Sequence, residues 1–218
     1  MLNKNSKWIP YSLLLVLLII VVSIVYEKEF SDNSLATNNK KCNVEPKPFV
    51  DYSKCDFSNK EFKNVNMTGV NLEGSYLYKT KFENVILKNS NLKNIQCNHG
   101  SIFSSDLSFS NMTNSKCNNV NIFKSNLDNI DLTRSNLQAA KFIETNISNA
   151  QLDLAYLYRA DFSKANLTNS IFVGSHIENV DFTEAILTNV DFTDAIFYNE
   201  MLGDEAIFEK CIGFEKCK

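Results

Sequence analysis

From about residue 50 to residue 202 the chain repeats every five residues without a break, and that period constrains the fold more than any other feature. Every fifth position from Phe57 to Phe197 is apolar, twenty-nine in all. Two positions before each lies mostly a small or β-branched residue, such as Val65, Ser75, Thr80, Ala140, Ala165 or Ala195, with Lys60, Ile95 and Ile130 as misfits. In an α-helix five residues turn by about 500°, so the apolar positions would spiral around the axis and build no face. A continuous strand fails as well, because a period of two sends consecutive ladder residues to opposite sides. What remains is a short extended piece in which residues i−2 and i point the same way, followed by a turn that resets the phase.

The number of such pieces in one coil is set by the recurrence of like residues. Phe62, Phe82, Phe142, Phe162 and Phe182 fall at multiples of twenty, with Ile102 and Ile122 between them, and Phe172 and Phe192 repeat the interval. Four sides of five residues therefore close a square coil in which each unit buries its neighbour's face. About seven coils at the parallel-strand spacing of roughly 4.8 Å stack to about 35 Å. Units such as Ala160-Asp161-Phe162-Ser163-Lys164, Ala165-Asn166-Leu167-Thr168-Asn169 and Val180-Asp181-Phe182-Thr183-Glu184 resemble the pentapeptide repeat family: a small residue, Asp or Asn, Leu or Phe, then two variable residues. The resemblance implies an all-β chain folded as a right-handed quadrilateral β-helix, and the handedness comes from the resemblance alone. In the first half Val and Ser often stand where the family usually has Ala, which adds bulk to the corners.

Upstream, Ile9 to Tyr26 runs eighteen residues without a charge, about 27 Å as a helix against a bilayer core of roughly 30 Å. Trp8, Tyr11 and Tyr26 sit at its ends, where amphipathic rings favour the headgroup zone. Lys4 and Lys7 precede it, whereas Glu27, Lys28, Glu29 and Asp32 follow, so the positive-inside bias puts the N-terminus in the cytoplasm and the repeats across the membrane. The expected organisation is a cytoplasmic tail over 1–8, a transmembrane signal anchor over 9–26, a linker and N-terminal cap over 27–49, the repeats over 50–202 and a C-terminal cap over 203–218. Secretion after signal cleavage near Ser34-Leu35-Ala36 is the alternative. In the cap Ile207, Ile212 and Phe214 keep apolar character, while Glu205 and Lys210 stand where small residues would be expected, and a helical turn is read after Asp204.

Thirty residues are Asn, against six Gly and three Pro. Asn bonds its own backbone and tolerates left-handed geometry, so it serves the turns, and columns such as Asn71, Asn91, Asn111, Asp131 are expected to stack as ladders. Cys97 and Cys117 hold ladder positions one coil apart and are read as buried thiols, although their stacking distance permits a disulfide. Cys42 with Cys55 and Cys211 with Cys217 flank the two ends of the repeats and are candidate disulfides that clip the terminal coils.

Outward positions are where a partner would be met. Phe103, Phe123 and Ile143 follow one another in one column, with Phe109 on the neighbouring face, as a candidate interaction stripe. Tyr78, Tyr158 and Tyr198 share another column, Tyr76 and Tyr156 a third. Two His, no Gly-rich phosphate loop and a core filled by side chains argue against an enzyme, and no cofactor or metal is expected. The formal net charge of −3 argues against a nucleic-acid binder. The expectation is a non-catalytic, membrane-anchored protein that displays the repeats outside the cytoplasm to an unknown protein partner or to a second copy. The family also offers DNA-mimic binders of DNA gyrase, and a secreted host-directed effector is a further alternative.

Overall fold

Five backbone N–H groups per unit need partners, and the way they find them builds the molecule. The computed structural model describes residues 41–198, 206–215 and 217. In the unit from Val70 to Gly74, the Asn71 N–H donates to Val50 of the coil before, and the Leu72 and Gly74 N–H groups donate to Asn91 and Lys93 of the coil after. The Val70 N–H closes a turn onto the Met67 carbonyl. The fifth, on Glu73, donates to the Asn71 side-chain oxygen at 3.1 Å. This pattern recurs along the chain and produces a parallel β-solenoid of about seven turns.

Four faces result, named here by their first ladder residue: Tyr52, Phe57, Phe62 and Met67. On the Phe62 face five strands pair in parallel and in sequence order: β1 (Glu61–Lys63), β2 (Lys81–Glu83), β3 (Ser101–Phe103), β4 (Asn121–Phe123) and β5 (Lys141–Ile143). On the Phe57 face β6 (His176–Glu178) pairs with β7 (Ile196–Tyr198). Elsewhere the coils meet through single parallel bridges at the residue before the ladder, such as Asn71 with Asn91 and Tyr156 with His176. The register is twenty residues throughout these pairs, Phe62 lying opposite Phe82 and Ile122 opposite Phe142.

The inward column is the core. All twenty-nine ladder residues expected from the period are buried except Phe197, which is half-buried, and Tyr52 adds one more at the start. Phe rings stack down the Phe62 face, with centroids 4.8 Å apart for Phe142 and Phe162 and 5.5 Å for Phe162 and Phe182. Two of the three misfits, Ile95 and Ile130, point inward and are buried; Lys60 is exposed. Where Ile102 interrupts the Phe ladder, beside Gly100 and Cys97, the core keeps a small apolar cavity of ≈ 20 Å³.

Each turn carries a left-handed residue two places after the ladder. From Phe49 to Asp194 every fifth residue has positive φ; twelve of these are Asn and three are Gly. Combined with the bond from residue i+3 to residue i, this gives most corners the type II form.

Both ends depart from the plain coil. At the N-terminal end the Tyr52 hydroxyl donates to the Glu45 carbonyl at 2.7 Å, and Lys41 reaches Asp51 at 2.8 Å. At the other end Ile186 bridges Ile207 and Asp191 bridges Ile212, a spacing of twenty-one rather than twenty. The C-terminal expectation is corrected by that one-residue slip. Ile207 and Ile212 are exposed bridge residues rather than ladder residues, Phe208 takes the inward place, and the small residues required two places before the ladder are Ala206 and Cys211. Counting in fives across 199–205 assigned those places to Glu205 and Lys210 instead. Phe214 closes the end, its ring 4.6 Å from Phe197 and 5.9 Å from Phe192.

The expected tail over 1–8, the anchor over 9–26, the linker up to residue 40 and the helical turn after Asp204 lie outside the described residues. Among the described residues no helix is long and apolar enough to cross a membrane.

Candidate interaction surface

Strand pleating puts the residue after each ladder position on the outside, and on the Phe62 face this column changes character along the solenoid. Lys63 and Glu83 pair at 2.9 Å, and Phe103, Phe123 and Ile143 then follow in strict register on β3, β4 and β5. Phe103 is 42% exposed, while Phe123 and Ile143 are half-buried. The two Phe rings stack 5.7 Å apart at 17°, and the Lys124 ammonium lies 4.9 Å from the Phe123 ring centre. Lys124 itself reaches Glu144 at 3.7 Å. The stripe is thus an ordered apolar strip with an ionic border.

Phe109 does not join it. It occupies a left-handed corner of the Met67 face, 51% exposed, with Lys88 over its ring at 5.4 Å. Its column neighbours are Asn89 and Asn129, so this Phe interrupts an amide column. Further along, Asn169 donates to Asn149 and Asn189 to Asn169, each at 3.1 Å, as side-chain ladders do.

All six cysteines are paired. Cys42 is joined to Cys55, with Cα atoms 5.5 Å apart, and Cys211 to Cys217, at 5.1 Å. The first ties the segment before the repeats onto the opening coil. The second closes the C-terminal end. Cys97 and Cys117, expected as buried thiols, are joined too, across a Cα separation of 4.6 Å. Parallel stacking in strict twenty-residue register brings successive ladder residues of one column within disulfide reach.

Burial and hydrogen bonding compete over the carboxylates of the surface. Burial pushes the Asp51 carboxyl up, but the Lys41 ammonium and the Ser53 hydrogen bonds outweigh it and hold the group at about 2. For Asp128 burial is likewise outweighed by hydrogen bonds from Ser148, Asn149 and Asn129, and the pKa is lowered. Asp153 goes the other way: burial raises it, and the neighbouring Asp131 and Asp191 charges add to the effect. Among the described residues no three His, Cys, Asp or Glu side chains gather as a metal site.

The Phe57 face carries the two tyrosine columns expected from spacing, and the fold adds the groups packed against their rings. Tyr76 and Tyr78 flank Leu77, Tyr156 and Tyr158 flank Leu157, and each second Tyr has a cation over its ring: Lys79 at 5.1 Å and Arg159 at 4.9 Å. His99 meets Tyr78 edge-on at 5.7 Å, and His176 stacks on Tyr156 at 4.8 Å. The signal in the sequence was the recurrence of Tyr-Leu-Tyr followed by a basic residue, eighty residues apart.

A family model described as Pentapeptide repeats matches the chain in eight copies, over residues 53–94, 103–138, 135–174 and 160–199. Solved structures that resemble it include HetL, a pentapeptide repeat protein involved in heterocyst differentiation regulation from Nostoc sp. strain PCC 7120, at 16% identity over 76% of this chain and 87% of that one, with a TM-score of 0.39. Rfr23, a pentapeptide repeat protein from Cyanothece 51142, matches at 30% identity over 42% of this chain and 63% of its own, with a TM-score of 0.41. QnrB1, a plasmid-mediated fluoroquinolone resistance protein, matches at 18% identity over 71% of this chain and 82% of its own, with a TM-score of 0.49. No curated protein matches the chain.

Proposed function

The chain belongs to the pentapeptide repeat family, and from that premise we propose that it is a non-catalytic, membrane-anchored member that presents its solenoid outside the cytoplasm as a surface for protein binding. The observation that carries this reading is the Phe103, Phe123, Ile143 strip. Three large apolar side chains in register on the outside of a sheet keep apolar surface open to water, and covering it with a partner lowers the free energy further. Location is supported by the uncharged run from Ile9 to Tyr26 and the lysines before it. Paired cysteines at both ends of the solenoid fit an oxidising compartment.

Two experiments test the two parts. Replacing Phe103, Phe123 and Ile143 together with Ser is expected to leave the melting transition in place and to abolish capture of a partner protein or self-association; undiminished association discards the strip as the binding surface. Protease or thiol-label access beyond Tyr26 in intact cells tests the topology. Labelling confined to the cytoplasm overturns the external location, and a mature chain beginning near Thr37 replaces the anchor with secretion.

A further inference from the structure

The Phe57 face differs from the other three in carrying two aromatic rows separated by amide-bearing coils, with no carboxylate among them. Tyr76 and Tyr78 form the first row; Tyr156 and Tyr158 form the second. The rows lie four coil steps apart, about 19 Å at the parallel-strand spacing, with three coils between them. Tyr76 is 48% exposed and Tyr156 53%; His176 stacks on one face of the Tyr156 ring, so a ligand meets its other face and its edge. On the coils between them the outward positions hold Gln96 and Asn98, then Lys116 and Asn118, then Asn136 and Gln138.

The charge of this strip is opposite in sign to that of the whole chain. From Tyr76 to Arg159 the outward and corner positions of the face carry Lys79, Lys116 and Arg159 and no acid, although the chain has a net charge of −3; Asp56 and Glu178 border the span on the coils outside it. The basic groups sit at the two ends and the middle of the span. Lys79 and Arg159 lie against Tyr78 and Tyr158, which ties each aromatic row to a positive charge.

We infer that this face binds a linear, carboxylate-bearing polysaccharide laid along the solenoid axis. Aromatic side chains supply an apolar platform with a polar tip, suited to the CH faces and hydroxyls of sugar rings. Gln and Asn side chains carry both donors and acceptors, which match hydroxyl groups that themselves donate and accept. The three cations match carboxylates spread along a chain. A single-stranded nucleic acid fits less well, because it carries a phosphate on every unit, whereas the coils of Gln96 and Asn136 present no fixed positive charge to it. Two rows on one rigid scaffold act as linked subsites, so a chain long enough to touch both binds far more tightly than one that touches either. This surface is distinct from the Phe103 strip, and the inference stands apart from the protein-binding function proposed above.

The test uses the full chain in detergent micelles and polygalacturonate fragments of graded length, with binding followed by calorimetry. Affinity is expected to rise by roughly tenfold or more once the fragments are long enough to span both rows, as linked subsites require. Tyr76→Ala combined with Tyr156→Ala, shown to be folded by its melting transition, is expected to remove that step, while Phe103→Ser on the other face leaves it intact. Methyl-esterified fragments are expected to bind more weakly. Absence of binding by the unaltered chain, a smooth length dependence without a step, or unchanged affinity in the folded double variant overturns the inference. So do equal binding of the esterified fragments and tighter binding of an oligothymidylate of equal length. The length series needs no variant, so a double variant that fails to fold leaves the inference decided by the step alone.

Discussion

Where Asn or Asp stands before a ladder position it performs a task that few side chains can: its oxygen accepts the one backbone N–H in the unit that has no carbonyl in reach. Asn71, Asn91, Asn111, Asp131 and Asp161 all do this, at 2.9 to 3.3 Å. The family's preference for Asp or Asn at this place thus has a mechanical cause. Potential N-x-[ST] sites at Asn66, Asn111, Asn146 and Asn166 fall on this position, and their amide oxygens are already engaged by Thr68, Thr113, Ser148 and Thr168. Asp51 performs the same task with a charge, bonding the Ser53 N–H and the Lys41 ammonium. Its pKa is about 2 in the folded chain against 3.8 ordinarily, so the stability it contributes is fully present above 3.8 and is lost as pH falls toward 2. Asp51→Asn is expected to lower stability at pH 7 by less than about 1 kcal/mol, since the pair is open to solvent. Urea titrations at pH 7 and pH 2 should show the difference in the first and only a small remnant of it in the second, where the folded group is half protonated.

A coil is the natural element of this molecule, and its stability comes from the coils on either side. Phe162 makes this concrete: its ring stacks on Phe142 and on Phe182 and meets Phe172 edge-on at 6.1 Å. Removing it opens a cavity shared by three coils. Phe162→Ala is expected to cost about 3–5 kcal/mol, as buried Phe deletions do, and a denaturant melt measures the loss. The last coil depends on Gly213 instead. Its φ is +78°, and a Cβ there would come within 2.4 Å of the Phe192 carbonyl carbon, so backbone itself blocks any side chain. Gly213→Ala is expected to free the C-terminal end locally, which hydrogen exchange at Ile207 and Ile212 would register, with the coils before Phe162 unchanged. Gly74→Ala is the control for the left-handed backbone alone, because its φ is +67° but its Cβ would meet only Lys54 Cγ at 3.6 Å.

At the scale of the whole solenoid each coil touches only its neighbours, so unravelling starts where neighbours are missing. The Cys42–Cys55 and Cys211–Cys217 bonds sit at those two ends, and Cys97–Cys117 ties two coils in between. Closing the twenty-residue interval of the last pair contributes on the order of 3 kcal/mol through the unfolded chain. Reduction is therefore expected to raise hydrogen exchange first at residues 41–57 and 207–217, with residues 140–180 protected longest. Simultaneous loss along the whole length would contradict stepwise unravelling.

The ladder, the four-sided coil and the left-handed Asn corners were legible because each is set by contacts at a fixed interval of five or twenty residues. Phe62, Phe82, Phe142, Phe162 and Phe182 announce their stack by spacing alone. Three things were decided only in the folded chain. The C-terminal slip moved Ile207 and Ile212 outward and brought Phe208 in, because pairing with Ile186 and Asp191 sets the register there. Cys97 and Cys117 became partners because their column places them side by side. On the Phe57 face the tyrosine columns were legible from spacing, but the cations over Tyr78 and Tyr158 and the His176 ring stacked on Tyr156 appear only in the folded chain. A period in sequence determines which residues stack; which of the outward residues then share a surface depends on how the coils are joined in space.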